Sequence, residues 1–305
     1  MNEQRPLPIV SMQCLARRIG VPIERLKAIA DNIQQDRRSH YRHFALKTGK
    51  GKVRHIDHPA PELLDVQRKI VRFVLAPLGF GDAAHGGISG RDPRTNAAVH
   101  QGKRCVVKMD VKNFFPSVQH KRVYRMFRHE HGFGKDVSRL LTRLVTLRGG
   151  LPQGAATSPA VANHFAVPVD EALGSSVERH GLGYSRFVDD LTISGDRPKL
   201  LIDLTTRLLK ARGLKLAPEK LKVCPRGGPQ EVTGLLVNDA KRVTISRYYR
   251  DAVRSSIHKL RNMEQNEWPK QVASIEGKIA HIARFNQGPA ARLRRYLADV
   301  TGEGV

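Results

Sequence analysis

The chain is poor in the features that mark secreted, disulfide-bonded or membrane-spanning proteins. Its three cysteines, Cys14, Cys105 and Cys224, lie far apart and are odd in number, so they form neither a disulfide framework nor a metal-ligand spacing. No apolar run approaches the roughly 20 residues that span a bilayer, and the first residues lack the pattern of a secretory signal. The thirteen histidines show no zinc-like spacing. We therefore expect a cytoplasmic protein with reduced cysteines and no membrane partner.

Acidic residues are scarce relative to basic ones. The 305 residues include 53 lysines and arginines but 28 aspartates and glutamates, which gives a formal net charge of +25. The basic residues are spread along the chain, whereas a membrane-surface helix would concentrate them in one amphipathic segment. An excess of this size favours a polyanionic partner, and nucleic acid fits it better than a membrane. Binding should weaken steeply with rising salt, because counterions are released when the partner binds.

Internal repeats and low-complexity tracts are absent from the sequence. A glycine-rich segment at 79–90 is not a P-loop, because no Gly-Lys-Ser/Thr follows it. With 40% hydrophobic and 27% charged residues, the composition indicates a globular protein rather than a disordered one.

Three regions can be distinguished along the chain: a helical segment at 1–39, a mixed region at 40–240 and a basic helical region at 241–305, which begins at a change in composition. In the first region apolar residues recur at helical spacing, and Gly20 and Pro22 divide them into two short helices. This pair fits either a helix-turn-helix DNA reader or a packing element of the larger domain. A basic β-hairpin is predicted to follow it.

The strongest chemical signal is a pair of adjacent carboxylates, Asp189 and Asp190, between two apolar, β-prone stretches. Neighbouring side chains on a strand point to opposite faces, so a flanked Asp-Asp pair is typical of a hairpin turn, where both acids can approach one site. A third acid, Asp110, follows an apolar strand at 105–109. Two strands that deliver carboxylates to one edge of a sheet predict a two-metal phosphoryl-transfer site, and Mg²⁺ prefers such oxygen ligands.

The segment LPQGAATSP combines a flexible loop with the start of a helix. Gly154 allows a close approach of the backbone, and Gln153 offers both a donor and an acceptor. A helix that begins near Ser158 could direct free amides at a phosphate, although a plain helix entry gives the same pattern.

An aromatic pair, Phe114 and Phe115, follows the strand that ends at Asp110. Such a pair is usually part of a core. The second ring, however, can also lie beneath a nucleotide sugar, where its bulk would exclude a 2′-hydroxyl and favour dNTP over NTP.

Three segments in the order MDVKNFFPS, GLPQGAATSP and FVDDLTIS resemble the palm motifs of reverse transcriptases. The last has Phe-Val where many members have Tyr-Ala before the paired aspartates, which keeps an aromatic and a small apolar residue. Two shorter strings, Asn-Ala-Ala-Val-His at 96–100 and Val-Thr-Gly at 232–234, resemble elements of retron reverse transcriptases. The resemblance covers about residues 40–300 and identifies the chain as a retron-type enzyme.

This resemblance implies an α+β right-hand polymerase fold, in which fingers and a palm with an antiparallel sheet occupy 40–240 and a helical thumb occupies 241–305. It implies two Mg²⁺ ions, with Mn²⁺ as the alternative. By the same resemblance, the catalytic metal ligands would be Asp110, Asp189, Asp190 and the carbonyl of Val111. The dNTP would contact Lys52, Arg54, Phe115, Gln153 and Lys220. The RNA would be bound by Asn96, His100, Val232, Thr233, Gly234, Arg247, Arg250 and Arg254.

The resemblance also implies a reaction and its partners. Retron enzymes copy part of their own structured noncoding RNA into single-stranded DNA from dNTPs. The 2′-hydroxyl of a specific guanosine in that RNA is the primer, which leaves a branched RNA–DNA product. Such systems are associated with defence against phage and often include a separate effector protein. The sequence has no RNase H, protease or nuclease motif, so we expect any effector activity to reside in another chain.

Other interpretations of the same motifs remain open. A group II intron enzyme is expected to carry a maturase domain after the thumb, for which this chain is short. A diversity-generating enzyme typically departs from the Gln-Gly pair found at 153–154. An abortive-infection polymerase that works without a template is a further alternative. A catalytically silent nucleic-acid-binding scaffold would keep the charge but need not keep three acids together with Phe115 and Gln153.

Overall fold

A computed structural model describes residues 6–35, 40–47 and 53–302 of the chain. In these ranges the α-helices are α1 Met12–Ile19, α2 Ile23–Gln34, α3 Pro61–Ile70, α4 Pro93–Ala98, α5 Phe114–Ser117, α6 His120–Arg125, α7 Lys135–Val145, α8 Ser158–Arg179, α9 Ile202–Ala211, α10 Arg247–Lys259, α11 Trp268–Ala283 and α12 Gln287–Thr301. The strands are β1 Tyr41–Lys47, β2 Val53–Pro59, β3 Cys105–Asp110, β4 Gly183–Phe187, β5 Asp190–Gly195, β6 Lys222–Pro225, β7 Glu231–Val232, β8 Leu235–Leu236 and β9 Thr244–Ile245.

The two N-terminal helices form where the sequence predicts them. The Ser11 hydroxyl caps α1 by accepting a hydrogen bond from the Cys14 amide at 3.1 Å. Gly20 ends α1 in the left-handed conformation, with φ 64°, which glycine adopts without steric cost. Leu15 and Leu26, one from each helix, are fully buried in the main hydrophobic core. This burial favours the packing role of the pair over a separate helix-turn-helix reader.

Strands β1 and β2 form an antiparallel ribbon, as predicted. Its register runs from the pair Tyr41 and Pro59 to the pair Lys47 and Val53. The connection between the strands, with the predicted triphosphate contact Lys52, lies outside the described residues.

A four-stranded antiparallel sheet in the order β4–β5–β3–β6 forms the centre of the fold. Successive side chains of β3 point to opposite faces, and both faces are covered. Val107 and Met109 belong to the main core, which contains α1–α3 and α7–α9, whereas Val106 packs in a second core. Burial on both faces explains why apolar residues stand next to each other in β3, at Val106 and Val107, instead of alternating strictly with polar ones.

The second core is built by β7–β9 and the C-terminal helices α10–α12. Ile257, Ile279 and Leu297 contribute one buried side chain from each of these helices. Ala97 and Val106 join this core from earlier in the chain, which fastens the C-terminal helices to the sheet. The predicted domain boundary near residue 240 stays a prediction.

Helix α8, with 22 residues, is the longest helix in the described ranges. Pro159 stands in its first turn, where the N–H that proline lacks has no helical partner anyway. The Ser158 hydroxyl donates to the Pro152 carbonyl at 2.6 Å, which fixes the helix start to the preceding loop. Nowhere in the described parts of the chain is a helix both long and apolar enough to cross a membrane.

Candidate active site

The three aspartates singled out by the sequence meet at one edge of the central sheet. Asp110 is the last residue of β3 and Asp190 is the first of β5, and the two are direct partners in the antiparallel register. Asp189 lies in the short turn between β4 and β5. Its carbonyl accepts a hydrogen bond from the Val111 amide at 2.9 Å, which ties the turn to the end of β3. We call Asp110, Asp189 and Asp190 the acid cluster.

Close packing of three carboxylates disfavours their ionised forms. Burial raises the pKa of Asp190 to about 6, and the charges of Asp189 and Asp110 add to the shift. Burial also raises the pKa of Asp189, to which Asp110 contributes, while Lys220 and Arg54 act in the opposite direction. The acid cluster therefore has an excess of negative charge that a bound cation would relieve.

Lys220 contacts the most buried member of the acid cluster. Its Nζ lies 2.5 Å from Oδ1 of Asp110, and this hydrogen bond raises the pKa of Lys220. The Ala217 amide donates to the Asp110 carbonyl at 2.8 Å, so the backbone near Lys220 is held against β3. The lysine that the sequence predicted as a dNTP contact thus carries its charge at the acid cluster, where it would also attract a triphosphate.

The acid cluster fits a divalent cation by its donor chemistry, because Mg²⁺ prefers carboxylate oxygens. Among the described residues, no group of three or more histidine, cysteine or carboxylate side chains is arranged to hold a metal ion by itself. Mg²⁺ usually takes one or two protein carboxylates and completes its shell with water and substrate phosphates. An incomplete protein ligand set at the acid cluster is therefore compatible with Mg²⁺, and the Val111 carbonyl stays the predicted additional ligand.

The raised pKa of Asp190 gives a testable dependence of stability on pH. Folding moves this pKa from 3.8 to about 6, so the folded protein holds the proton more tightly than the unfolded chain does. The contribution of Asp190 to stability is thus most favourable below pH 4 and is lost as pH rises through about 6. We expect Asp190→Asn, measured in a chelator, to raise the melting temperature more at pH 7.5 than at pH 5. Equal changes in melting temperature at the two pH values would contradict the conclusion that the ionised form of Asp190 destabilises the fold.

The β1–β2 ribbon docks on the loop at 151–154. The Asp57 amide donates to the Gln153 carbonyl at 2.7 Å. Gly154 has φ 108°, and a Cβ added there would lie 2.8 Å from Cγ2 of Ile56. Both the backbone conformation and the close approach therefore require glycine at this position. The contact fixes the main chain of Gln153, whose side chain is partly buried.

Arg54 belongs to the same ribbon. It is exposed on β2 and pairs in register with Leu46. Its positive charge acts to lower the pKa of Asp189, which places Arg54 within electrostatic reach of the acid cluster. The role of Arg54 as a triphosphate contact stays a prediction.

Phe115 lies between the acid strand β3 and the loop at 151–154. Its carbonyl accepts a hydrogen bond from the Leu151 amide at 3.2 Å. Its ring is half-buried, and its centre lies 5.9 Å from that of the buried Phe114 ring. The core therefore supports one side of the Phe115 ring and leaves part of it accessible, as contact with a sugar would require.

The two short elements that pointed to the retron type contact each other. The Asn96 side-chain amide donates to the Thr233 hydroxyl at 3.5 Å, and that hydroxyl donates to the Pro93 carbonyl at 3.0 Å. Asn96 and Val232 are buried, whereas Gly234 is exposed. In this conformation Asn96 and Val232 support the turn at Thr233 and Gly234, and of these four residues Thr233 and Gly234 keep accessible surface. Their role in RNA binding stays a prediction.

His100 is fully buried behind the β4–β5 hairpin. Its two ring nitrogens contact the hydroxyls of Ser194 at 2.7 Å and Ser185 at 2.8 Å. Burial lowers the pKa of His100 to about 3, with smaller contributions from His85 and Lys103, so the ring is neutral at physiological pH. A neutral, enclosed ring supports the hairpin rather than contacting RNA, and the predicted RNA contact at His100 is not available to its side chain in this conformation.

The predicted RNA-binding arginines line a cavity of about 560 Å³ between α10 and α12. Its lining includes Arg247, Arg250, Arg254, Arg292 and Tyr296. The Arg254 guanidinium lies 5.8 Å from the centre of the Tyr296 ring, within the range of a cation–π interaction. Guanidinium groups beside an aromatic face can contact phosphates and stack on a base. We call this feature the arginine cavity.

Gln67 connects several parts of the site, although the sequence motifs gave no sign of it. It is fully buried on α3. Its side-chain nitrogen donates to the Tyr41 hydroxyl at 3.0 Å and to the Leu144 carbonyl at 3.2 Å, while its oxygen accepts from the Ala156 amide at 3.2 Å. It thus links the β1–β2 ribbon, α7 and the loop before α8. The sequence does contain one sign of this role, because Gln67 lies on the buried face of α3 among apolar residues.

Comparisons with known proteins agree with these motifs. Residues 27–273 match the family model described as reverse transcriptase (RNA-dependent DNA polymerase). The retron Mx162 reverse transcriptase of Myxococcus xanthus is 32% identical over 95% of this chain and 66% of its own length. The retron Mx65 enzyme of the same organism is 33% identical over 92% and 70%, respectively. The retron Se72 reverse transcriptase of Salmonella heidelberg is 30% identical over 98% of this chain and 82% of its own length. The chain therefore spans roughly two thirds of the Myxococcus relatives.

The family match accounts for the architecture around the acid cluster. The mixture of helices with an antiparallel sheet is that of the right-hand polymerase fold, so the predicted fold class is confirmed. The two short elements at 96–100 and 232–234 occur together with matches to retron enzymes over most of the chain. The chain belongs to the reverse transcriptases, the RNA-dependent DNA polymerases, and within them to the retron type.

Proposed function

We propose that this chain is the polymerase of a retron, which copies part of a cognate structured noncoding RNA into single-stranded DNA. A 2′-hydroxyl of that RNA serves as the primer, and the product is a branched RNA–DNA molecule. The observation that carries this proposal is the acid cluster at the β3–β5 edge in a chain with a net charge of +25. The relatives named as retron reverse transcriptases support the choice of a retron over other systems.

The proposal requires divalent metal ions, which reverse transcriptases generally use. Two Mg²⁺ ions, with Mn²⁺ as the alternative, would supply activation of the attacking hydroxyl and stabilisation of the leaving pyrophosphate. Asp110, Asp189 and Asp190 would hold them, together with the Val111 carbonyl. Lys220 would then exchange its contact with Asp110 for one with the substrate, because a lysine ammonium is a mobile point charge on a flexible stem.

In this proposal the dNTP lies between the β1–β2 ribbon and the acid cluster. Arg54 and Lys52 would contact the triphosphate from the ribbon. Gln153, whose carbonyl is held by the Asp57 amide, would face the incoming nucleotide. Phe115 would lie beneath its sugar. The hydrogen bond that joins the ribbon to the 151–154 loop supports the order of these contacts, because the same loop also contacts the Phe115 carbonyl through the Leu151 amide.

The arginine cavity is the surface that we propose for the RNA backbone. The cavity brings the side chains of Arg247, Arg250 and Arg254 from α10 to one opening, and guanidinium groups form strong, charge-assisted hydrogen bonds to phosphate. The aromatic face of Tyr296 adds a stacking surface beside Arg254. RNA is recognised largely through phosphate contacts, shape and stacking, which these groups provide.

We expect the double substitution Arg250→Ala with Arg254→Ala to weaken binding of the cognate RNA by about 100-fold or more, because each hydrogen bond to a charged group is worth about 1.5–3 kcal/mol and each substitution removes at least one. The dependence of log K on log salt should also become shallower, by about 0.7 for each phosphate that the variant no longer neutralises. Filter binding over a range of salt measures both quantities. Arg139→Ala on α7 removes an exposed arginine away from the cavity and serves as the control. Equal effects of the control and the double variant would argue against the arginine cavity.

The nucleic acid that copurifies with the protein tests the function as a whole. We expect a single-stranded DNA joined to RNA through a 2′ linkage, so that a debranching enzyme releases the DNA and alkaline treatment leaves a short RNA remnant. DNA made without a template would favour an abortive-infection polymerase. RNA without DNA, together with no metal-dependent incorporation of dNTP by the purified protein, would favour a silent binding scaffold.

The proposal includes a role in defence against phage, acting with a separate effector protein. This part rests on the retron type of the chain. Its test is the plating efficiency of phage on cells that carry the complete system, compared with cells whose polymerase carries Asp189→Asn and Asp190→Asn. Equal protection in both kinds of cell would show that DNA synthesis by this chain plays no part in defence against phage.

A further inference from the structure

The strand that leads into the acid cluster carries an arginine that points into the interior. Arg186, on β4, is 2% exposed and is among the largest fully buried side chains of the described residues. Burial of a guanidinium is costly unless its charge is paired and its donors are satisfied. Arg186 does not reach the cleft and therefore has no direct part in phosphoryl transfer. Its presence in the core needs another reason.

The contacts of Arg186 join α8 to the turn of the β4–β5 hairpin. Its Nε and Nη2 donate to both carboxylate oxygens of Asp170 on α8, at 2.7–3.1 Å. Its Nη1 donates to the side-chain oxygen of Asn163 at 2.9 Å and to the Val188 carbonyl at 3.0 Å. The Tyr184 hydroxyl donates to Asp170 at 2.6 Å. Burial alone would lower the pKa of Arg186, but Asp170 outweighs that effect and raises it, so the group stays charged.

The Val188 carbonyl that Arg186 holds belongs to a strained residue. Val188 has φ 59°, in the left-handed region that β-branched residues rarely adopt. Such strain persists where the surrounding structure over-determines the backbone. The Val188 carbonyl also forms the peptide unit that leads into Asp189. A rotation of this peptide that relieved the strain would therefore turn Asp189 away from its position in the acid cluster.

A second contact holds the same turn from its other side. The Asn163 side-chain nitrogen donates to the Gly86 carbonyl at 2.9 Å. A Cβ added at Gly86 would lie 2.5 Å from Cγ2 and 2.7 Å from the backbone nitrogen of Val188, so the Gly86 backbone is packed directly against the turn. Asn163 therefore connects Arg186 with the Gly86 backbone, and Val188 lies between the two.

We propose that Arg186, oriented by Asp170 and Asn163, is a positioning residue that keeps the strained Val188 turn in the conformation that presents Asp189 to the metal ions. This inference rests on the proposed function, in which the acid cluster binds the ions. Arg186 contacts neither the ions nor the nucleotide, and it acts through the Val188 peptide.

A buried ion pair with a purely structural role makes a different prediction. In that case any weakening of the Arg186 network lowers thermal stability, and activity falls only with the fraction of folded protein. In the positioning role, the contacts to Val188 and Gly86 affect metal binding, whereas the contact of Asp170 with Tyr184 on the far side of the network does not. Two variants within the same network can therefore be compared, one that changes the contacts to the turn and one that does not.

The experiment compares Asn163→Ala with Tyr184→Phe, and adds Arg186→Lys. Asn163→Ala keeps the Arg186–Asp170 pair and removes the links to Arg186 and Gly86. Tyr184→Phe removes one hydrogen bond to Asp170 and leaves the turn untouched. Arg186→Lys keeps the charge but lacks the planar fork that reaches Asp170, Asn163 and Val188 together. Mn²⁺ binding, followed by electron paramagnetic resonance without substrate, is read beside kcat and the melting temperature.

We expect Asn163→Ala to weaken Mn²⁺ binding and to lower kcat, each by about 10-fold or more, as removal of a residue that orients metal ligands does. The KM for dNTP should change less. Tyr184→Phe should match the unmodified protein in Mn²⁺ binding, even where its melting temperature is lower. Arg186→Lys should resemble Asn163→Ala if it folds, and Asn163→Ala decides the question if it does not.

Unchanged Mn²⁺ binding in a folded Asn163→Ala protein would overturn the positioning role, as would equal decreases in Asn163→Ala and Tyr184→Phe. Failure of the proposed function looks different. In that case the unmodified protein incorporates no dNTP at all, while the comparison of Mn²⁺ binding between the variants still reports on the turn.

Discussion

Replacement of Asp189 and Asp190 by asparagine in one protein is expected to abolish DNA synthesis while leaving RNA binding nearly intact. Loss of one group that stabilises transition-state charge costs about 10²–10³ in rate, so the double variant should lose at least about a thousandfold. The acids lie at the β3–β5 edge, away from the arginine cavity. Removal of two negative charges cannot weaken attraction for a polyanion, so the RNA affinity should stay equal or rise.

Stability separates this result from a trivial loss of folding. Burial raises the pKa of both Asp189 and Asp190, with Asp110 adding to both shifts and Asp189 to that of Asp190, so their ionised forms are disfavoured in the folded protein. The double variant should therefore melt at the same temperature as the unmodified protein or higher, in the absence of divalent ions. An inactive protein of undiminished stability that still binds RNA is the expected outcome.

A matched control is available on the same hairpin. Asp196 follows β5, its side chain is 76% exposed, and its nearest cation, Arg104, lies 4.0 Å away. Asp196→Asn makes the same chemical change outside the acid cluster and should leave extension of a primed RNA template unchanged. Undiminished DNA synthesis by the Asp189 and Asp190 double variant would show that catalysis does not depend on the acid cluster. A similar loss in Asp196→Asn would show that the hairpin is sensitive to any change of charge.

The sequence predicted the acid cluster because its signals are local. An apolar run before Asp110 marks a buried strand, and two apolar stretches around Asp189 and Asp190 mark a hairpin. Antiparallel pairing then leaves few ways to arrange the strands. The turn differs in one detail from the simplest expectation, because Asp189 lies in the turn while Asp190 already begins β5. The roles of the individual residues go further than this geometry and remain predictions.

The supporting contacts could not be predicted, because they join residues far apart in sequence. Gln67 contacts Ala156, and Arg186 contacts Asp170 from another element. In each case one polar side chain interrupts an apolar pattern, which shows that a partner is needed without showing which one. His100 presents the reverse situation. Its motif suggested an RNA contact, and burial between Ser185 and Ser194 became visible only in the folded chain.

Selection of deoxynucleotides gives the second large effect. Phe115→Ala is expected to raise the ratio of kcat/KM for a ribonucleotide to that for the matching deoxynucleotide about 10- to 100-fold, the range over which a pocket discriminates a single added group. The ring is held in place, because the Leu151 amide binds its backbone carbonyl at 3.2 Å and the Phe114 ring lies 5.9 Å away. We therefore expect the ring to stay in the path of a 2′-hydroxyl, whereas a methyl group would leave room for one.

Single-nucleotide extension of a primed RNA template, with CTP and dCTP in separate reactions, measures this ratio. Phe115→Tyr keeps the ring and should keep the discrimination, which separates the effect of bulk from any general disturbance of the loop at 151–154. The deoxynucleotide rate of Phe115→Ala should fall less than the ribonucleotide rate rises, because the backbone hydrogen bond to Leu151 does not depend on the side chain. An unchanged ratio in Phe115→Ala, in a protein that still extends with dCTP, would assign sugar selection to another residue and leave the Phe115 ring a purely structural part of the core.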